Sequence, residues 1–428
     1  MNGLDFDIIV AGGGAAGMMA AIKGAEAGCS VALLEKNPFC GKKINITGKG
    51  RCNVTNNRPW AEFAPHIHPV SDFFRPAFYH FSNSDTMAFF ESIGLPLVET
   101  QGKRIFPASM RAADVSGALV RHMEQLGVNI FYECELLDVV REGEFLFCGC
   151  IRRERGMRHP SAERFRARAL IVATGGLSYP ATGSTGAGYD IAASLGHEIV
   201  PTFPSLTALR PWRYNCDLEG IDLENVALTL LIDGDIAGIE QGDLSFTNAG
   251  IEGPIGYRLS RRAVGAMIKG QKVELLLDLK PALTKEKLVG RIARETDAIV
   301  LKNGDAGPLQ LKRIISRLMP AALVAPFIEA HPSLTLKTLP GALKEWPFKI
   351  ASYTGYERAV VTAGGVSRKE VVAKTLRSKR DSALYFAGEV LDLDGDTGGY
   401  NLQIAFSTGA LAGERAAQQI LKERDASS

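Results

Sequence analysis

Ile8-Ile9-Val10-Ala11-Gly12-Gly13-Gly14-Ala15-Ala16-Gly17-Met18, an alanine-rich stretch to Ala27, Gly28, and then Val31-Ala32-Leu33-Leu34-Glu35-Lys36 set the fold of this chain. Ile8 to Val10 is a short apolar run suited to a buried parallel strand. Gly12, Gly14 and Gly17 have the G-x-G-x-x-G spacing. The first permits a tight turn, the second lets the backbone approach a pyrophosphate, and the third lets helix and strand pack closely. Met18 to Ala27 favours a helix, and Gly28 suits its C-terminal cap. Val31 to Leu34 is a second strand with Glu35 at its tip. A carboxylate there accepts hydrogen bonds from both ribose hydroxyls and disfavours a 2′-phosphate, which points to FAD or NAD rather than NADP. The predicted cofactor contacts in this unit are Gly12, Gly14, Ala15, Ala16, Gly17, Glu35 and Lys36.

Working outward, the region to residue 195 reads as α/β. A polar loop is expected over Asn37 to Asn57, a helical stretch near Ser71 to Ile93 and an amphipathic helix over Ala113 to Leu126. Short strands are expected at Asn129 to Cys134 and Leu136 to Val140. Phe145 to Ile151 and Arg164 to Arg168 suggest a hairpin around an exposed loop, Arg152 to Ala162, and Ala169 to Ala173 reads as a further strand. Beyond His197 the pattern changes to strand-like runs such as Ala227 to Ile232 and Val273 to Leu277, separated by Gly and Asp turns. From Thr284 it becomes helical, most clearly at Lys285 to Glu295 and Leu309 to Leu318. From Val361 it returns to α/β, with the strand Leu384 to Phe386 and a long helix from Asn401 to Leu421. The expected organisation is a discontinuous nucleotide-binding domain (1–195 and 361–428), a β-rich insert (196–283 and 344–360) and a helical subdomain within it (284–343).

Three later segments favour FAD. Thr174-Gly175-Gly176 ends a strand of the kind that returns to the cofactor in glutathione-reductase-type flavoproteins. Gly388-Glu389 followed by Asp396 resembles their C-terminal flavin segment, where a backbone turn and an acid meet the ribityl chain and pyrophosphate. Thr397-Gly398-Gly399-Tyr400-Asn401-Leu402 opens the last helix, whose N–H groups and dipole can stabilise negative charge at the N1 and O2 edge of a flavin. Thr174, Gly175, Gly176, Gly388, Glu389, Asp396, Gly399, Tyr400, Asn401 and Leu402 therefore join the predicted cofactor contacts, and Leu136 of the short strand 136–140 is counted with them.

Gly41 to Asn56 (GKKINITGKGRCNVTN) resembles the signature loop of bacterial flavoproteins related to BaiN, also described as NAD(P)/FAD-dependent oxidoreductases or aminoacetone oxidase family proteins. Ala173 to Tyr189, Leu244 to Pro254, Val361 to Val366 and Tyr385 to Gly413 match as well, so the resemblance spans nearly the whole chain. It implies an α/β fold: a discontinuous glutathione-reductase-like FAD-binding Rossmann domain with an inserted β-barrel-like domain carrying a helical subdomain. Asn248 and Glu252 stand where the family pattern has His and Ser, a departure that falls in the insert and leaves the cofactor segments intact.

The loop 41–56 is the expected active-site segment. Its glycines allow close backbone approach, and Lys42, Lys43, Lys49 and Arg51 concentrate positive charge that would favour a reduced flavin. Gly41, Lys42, Lys43, Thr47, Gly48, Arg51, Cys52 and Asn53 are the predicted contacts. Arg51, Cys52 and Tyr400 are the candidate catalytic residues: Arg51 beside the thiol, Cys52 as a possible redox or covalent centre, Tyr400 as proton donor or packing group. No C-x-x-C or C-x-x-x-x-C pair accompanies Cys52, which argues against a dithiol mechanism. Cys148 and Cys150 alternate on a strand and lack a second ligand pair, and His66, His68 and His80 lack a pattern of acidic partners, so no metal is expected.

The reading is an FAD-dependent oxidoreductase with non-covalent FAD, passing hydride through flavin N5. The resemblance implies reduction of a C=C bond next to a carbonyl in an enone-type small molecule, with NADH or NADPH as a transient donor. The Gly183 to Gly188 run does not make a second nucleotide domain. The alternatives are an oxidase of an amine or alcohol using O2, and a non-catalytic flavin redox-sensing module. The bulk numbers bound the partners. A length of 428 residues calls for more than one core. The net charge of +2 gives no electrostatic case for nucleic acid or an anionic membrane. No basic and apolar leader opens the chain and no apolar run is long enough to span a bilayer. Seven cysteines without a disulfide framework suit a reducing cytoplasm. Oligomeric state is not specified by the sequence.

Overall fold

A computed structural model describes residues 5–153, 159–303 and 308–427. The first four residues of the predicted leader-free start, and residues 154–158 of the predicted exposed loop, lie outside that set. The chain divides into two compact units, residues 1–203 with 361–428, and residues 204–360.

In the first unit the described residues form a seven-stranded sheet. Asn129–Tyr132, Val31–Glu35, Asp5–Ala11 and Ser161–Val172 run parallel in that spatial order. Phe145–Arg152 and Cys134–Glu142 continue it antiparallel, and Leu384–Phe386 pairs in parallel with the end of Ser161–Val172. Ile8, Ile9, Val10 and Val31 to Leu34 are almost fully buried, as a parallel strand covered on both faces requires. Helix Ala15–Glu26 covers one face, and Gly28 follows its end at φ 91°.

The C-terminal helix Tyr400–Ser427 lies along Ala15–Glu26. Two glycines make this possible. A Cβ at Gly409 would stand 2.2 Å from the Ala16 carbonyl oxygen, and one at Gly413 the same distance from that of Ala20. The four-residue interval puts both on one helix face. The last segment of the chain is thereby locked onto the first.

Three expectations are corrected. Arg164 to Arg168 and Ala169 to Ala173 form one strand, Ser161–Val172. Its first half pairs with the hairpin partner and its second half with Asp5–Ala11, so the change from charged to apolar residues marks a change of neighbour, not a turn. The polar loop 37–57 contains helix Lys42–Ile46, a 3-10 turn Thr47–Gly50 and a short strand Thr55–Asn56. The first domain boundary falls at 203/204 rather than 195/196, because Ile199–Ser205 pairs with Val361–Val366 and draws the residues after 195 into the first unit.

The second unit carries a closed six-stranded barrel: Leu209–Pro211, Gly250–Glu252, Asp235–Thr247, Asp222–Ile232, Val273–Asp278 and Trp346–Tyr353. Leu228, Leu230, Leu244, Leu275 and Leu277 alternate into its interior. Helices Lys285–Asn303, Pro308–Leu318, Ala321–Ala330 and Leu339–Lys344 form the predicted helical portion. No described helix is long and apolar enough to cross a membrane.

Candidate functional site

The three glycines of the opening motif meet three different constraints. Gly12 has φ 104°, and a Cβ there would stand 2.6 Å from the Ala173 carbonyl oxygen. A Cβ at Gly17 would stand 1.8 Å from the Gly12 carbonyl oxygen. At Gly14 nothing lies within 4 Å of the Cβ position, and no side chain caps the helix that begins at Ala15. The helix start is therefore open, with its unpaired N–H groups and positive dipole end available to an anion. Ala15 and Ala16 are buried beside it. Leu136 is buried too.

Glu35 is 6% exposed. Its Oε2 accepts from Gly13 N–H at 2.7 Å, and its Oε1 accepts from the Asn37 N–H and Nδ2 at 2.7 and 2.6 Å. Burial raises its pKa against the pull of the Asn37 and Gly13 hydrogen bonds and the nearby Lys36 charge. A carboxylate offers about four acceptor positions. Three are taken, so one remains for a ribose hydroxyl rather than the two expected. Lys36 donates to Thr185 Oγ1 at 2.7 Å and lines a polar cleft of about 320 Å³ with Asn37, Glu135 and Arg153.

The loop at 41–56 is anchored at both ends. Gly41 N–H donates to the Gly13 carbonyl at 2.8 Å. At the far end, a Cβ at Gly399 would stand 2.5 Å from the Thr55 carbonyl carbon, and Thr55 Oγ1 donates to Gln403 Oε1 at 2.6 Å. The loop thus runs from the phosphate end of the motif to the start of the C-terminal helix. Thr47 Oγ1 bonds back to the Ile44 carbonyl, and Gly48 takes φ 57° in the 3-10 turn.

The loop's cations are not concentrated as expected. Lys43 Nζ lies 2.7 Å from Glu389 Oε2 and donates to Ser178 Oγ at 2.5 Å. Ser178 Oγ in turn donates to Glu389 Oε1, which also accepts from Thr362 N–H. Lys42 reaches Asn37 Oδ1 at 3.2 Å. Arg51 is exposed, bonded to the Gly48 carbonyl and placed over the Phe106 ring. Pairing with the Glu389 carboxylate cancels most of the field the sequence suggested at Lys43.

Cys52 is fully buried, and burial pushes its thiol up to about 12. It therefore stays protonated and packs. Tyr400 is 3% exposed, with its ring against Phe63 and stacked on His66 at 4.4 Å between centroids. Asn401 caps the preceding turn, accepting from Gly395 N–H and donating to its carbonyl. Leu402 is partly buried against the core.

Asp396 does not stand free to meet a ligand. It is 8% exposed, its Oδ2 2.8 Å from His66 Nδ1 and its Oδ1 3.0 Å from His68 Nε2. Burial alone would raise its pKa. The hydrogen bonds from the two histidines and their charges prevail and hold it below the usual carboxylate range. Among the described residues no group of three His, Cys, Asp or Glu side chains is placed to hold a metal ion.

These features fit a long dinucleotide. Besides the open Gly14 cradle, three buried acceptors on the expected contact segments have no partner in the structure: Thr174 Oγ1, Asn53 Oδ1 and Asn56 Oδ1. Gly175 takes φ 76°, Gly176 leaves no room for a Cβ beside Thr362 Oγ1, and Gly388 none beside Ala16.

The family pattern described as HI0933-like protein Rossmann domain matches residues 6–415. The chain belongs to the HI0933-like family. Among relatives of this family is a 3-dehydro-bile acid delta(4,6)-reductase of Clostridium scindens, 30% identical over 96% of this chain and 98% of its own length. Ribosomal RNA dihydrouridine synthases of Haemophilus influenzae and Escherichia coli are each 29% identical over 94% of this chain and 96% of theirs. The fold is shared with a 3-ketosteroid delta1-dehydrogenase from Sterolibacterium denitrificans (TM-score 0.53, 12% identity, 97% of this chain and 100% of that one). It is also shared with E. coli quinol fumarate reductase FrdA (TM-score 0.52, 17% identity, 99% and 72%). This HI0933-like chain is an FAD-dependent oxidoreductase.

Two features of the HI0933-like site escape sequence reading. The Lys43–Glu389 ion pair joins residues 346 positions apart, and Asp396 lies 330 and 328 positions from His66 and His68. No local pattern announces either. The only signal is that unusual side chains stand beside glycine turns: Glu389 after Gly388, and Asp396 before Gly398.

Proposed function

We propose that this protein reduces a C=C bond conjugated to a carbonyl in an enone-type small molecule, with FAD bound non-covalently and NADH or NADPH as a donor that visits without a domain of its own. The observation that supports it is the agreement of two relatives whose names differ in substrate and share a reaction. One is named for a delta(4,6) reduction in a 3-oxo bile acid and the other for making dihydrouridine. Each saturates a C=C bond conjugated to a carbonyl. Bound FAD supplies the hydride equivalent for such a reduction. The chain's part is to hold that cofactor with the open helix start at Gly14, the Glu35 carboxylate, the orphan acceptors of Asn53 and Thr174 and the Glu389 cluster. It must also supply a proton.

A second acceptor, a uridine of ribosomal RNA, is favoured by the dihydrouridine synthase relatives, whereas the net charge of +2 favours a small neutral or anionic substrate. Anaerobic incubation with NADH or NADPH separates the readings. A product 2 Da heavier from 4-androstene-3,17-dione supports the proposed one. Dihydrouridine in a ribosomal RNA fragment, with the steroid untouched, supports the second. Hydrogen peroxide formation from an amine or alcohol in air, with neither acceptor reduced, overturns both.

A further inference from the structure

The reduction needs a proton as well as a hydride, and of the predicted catalytic residues Arg51 is turned onto the Gly48 carbonyl and the Phe106 ring. Cys52 is fully buried and Tyr400 is 3% exposed within an aromatic stack. Lys43 is committed to Glu389. One acid–base group at the start of the C-terminal helix remains. Strand Ile67–His68 pairs antiparallel with Asp394–Gly395, His68 opposite Asp394, and Asp396 N–H donates to the His66 carbonyl at 2.9 Å. His66 ends the 3-10 turn Ala64–His66, and His68 ends the two-residue strand that follows it. Both rings turn onto the one carboxylate of Asp396, one on each oxygen. The two side chains remain 26% and 22% exposed.

An ionised carboxylate only accepts, so His66 carries hydrogen on Nδ1 and its Nε2 is the nitrogen left to exchange a proton. A buried carboxylate on Nδ1 both fixes the ring and stabilises the imidazolium. His68 is bound the other way, through Nε2. One carboxylate compensates one imidazolium well and a second poorly. The other titratable or charged groups on the elements packed around it are Asp394, Tyr400 at the start of the C-terminal helix, Glu62 of helix Trp60–Phe63, and Asp72, Arg75, Tyr79 and His80 of helix Ser71–His80.

We propose that His66 is the proton donor of this site, positioned by Asp396, with His68 as its proton reserve. This rests on the reading of the protein as a C=C reductase. FAD, when bound, would supply hydride to the β-carbon, and the substrate would then be an enolate. The enolate's electron pair then forms the C–H bond at the α-carbon as the His66 Nε2–H bond breaks, its electrons staying on nitrogen. His68 or solvent restores the proton.

The test mixes photoreduced, FAD-loaded protein with 4-androstene-3,17-dione without oxygen and follows flavin reoxidation from pH 5 to 9. His66→Asn keeps a donor to Asp396 and removes the titrating nitrogen. It should slow reoxidation by about 100-fold or more and flatten a profile that in the wild type falls as pH rises. His68→Asn should shift the inflection with a smaller loss. Flavin content and melting temperature verify that each variant folds. In ring NMR of the oxidised holoprotein, His66 and His68 should titrate as one coupled pair, and Asp396→Asn should uncouple them. Wild-type rate and pH profile in His66→Asn, or no titration of either ring between pH 5 and 9, overturns the proposal while leaving the reductase reading in place. A wild-type protein that neither the steroid nor a uridine-containing ribosomal RNA fragment reoxidises overturns both.

Discussion

Gly14 and Gly17 stand three residues apart, and a methyl group separates their fates. At Gly14 the Cβ position is open and φ is −83°, so Gly14→Ala should leave the flavin-free fold as stable as the wild type. It should weaken FAD binding by about tenfold, the loss of roughly 1.4 kcal/mol at the pyrophosphate. At Gly17 the new Cβ would collide with the Gly12 carbonyl, and Gly17→Ala should cost about 3 kcal/mol or more of folding stability. Denaturant unfolding of the apoprotein and FAD titration read the two effects apart. The cysteines give a second residue-level expectation. All seven are free, six are buried and Cys216 is exposed, with the buried Cys29, Cys40, Cys52 and Cys148 thiols pushed up to between about 11 and 12. One thiol per folded chain should therefore react rapidly with an aromatic disulfide reagent at pH 8, and seven after unfolding. Rapid reaction of Cys52 would contradict its assignment as a packing group. The opening motif was legible at this scale because its glycine spacing, the apolar strand before it and the acid after it lie within one continuous stretch. The Glu389 partner of Lys43 and the histidine partners of Asp396 were not, since each is more than three hundred positions away.

Among elements, the strand Ser161–Val172 shows why boundaries were harder to read than element type. Its residues change character halfway because its neighbours change, and a one-dimensional pattern cannot distinguish that from a turn. The segment following Ile191 offers a pH test. His197 is 5% exposed; its Nδ1–H donates to the Ala192 carbonyl at 3.1 Å, and its Nε2 accepts from Ser378 Oγ at 2.7 Å. Ser378 Oγ in turn accepts from the Arg380 and Asp381 N–H groups. Burial, the largest cause, lowers its pKa from the ordinary 6.5 against the opposing pull of the Ala192 hydrogen bond. The unfolded chain therefore binds this proton at a higher pH than the folded one. The neutral ring's contribution is complete above pH 6.5 and declines as pH falls from there towards the lowered folded value. The melting temperature should drop between pH 7 and 5, and His197→Asn should show a shallower drop. An equal slope in both proteins would remove His197 from the account. The glycine pair on the C-terminal helix makes a companion case: Gly413→Ala drives a methyl into the Ala20 carbonyl and should cost about 1–3 kcal/mol in denaturant unfolding.

Across the whole molecule, the two-part plan was legible because hydrophobic patterning changes its period on entering and leaving the insert. Many short strand-like runs separated by turns marked the insert as β-rich, and its closure into a barrel was what the family resemblance implied. The extent of the first unit was not legible, because the pairing of Ile199–Ser205 with Val361–Val366 depends on the chain's return from the insert. The cofactor site is likewise a property of the whole unit: the open helix start, the loop 41–56, the Thr174 to Gly176 strand end and the start of the last helix converge only when the first and last segments lock together. The most direct test of that convergence is the flavin itself. Purified protein, reconstituted if needed, should hold one FAD per chain, released intact by heat and identified by chromatography and mass. FMN in its place, flavin that stays attached after denaturation, or a colourless protein that takes up no FAD would contradict the account.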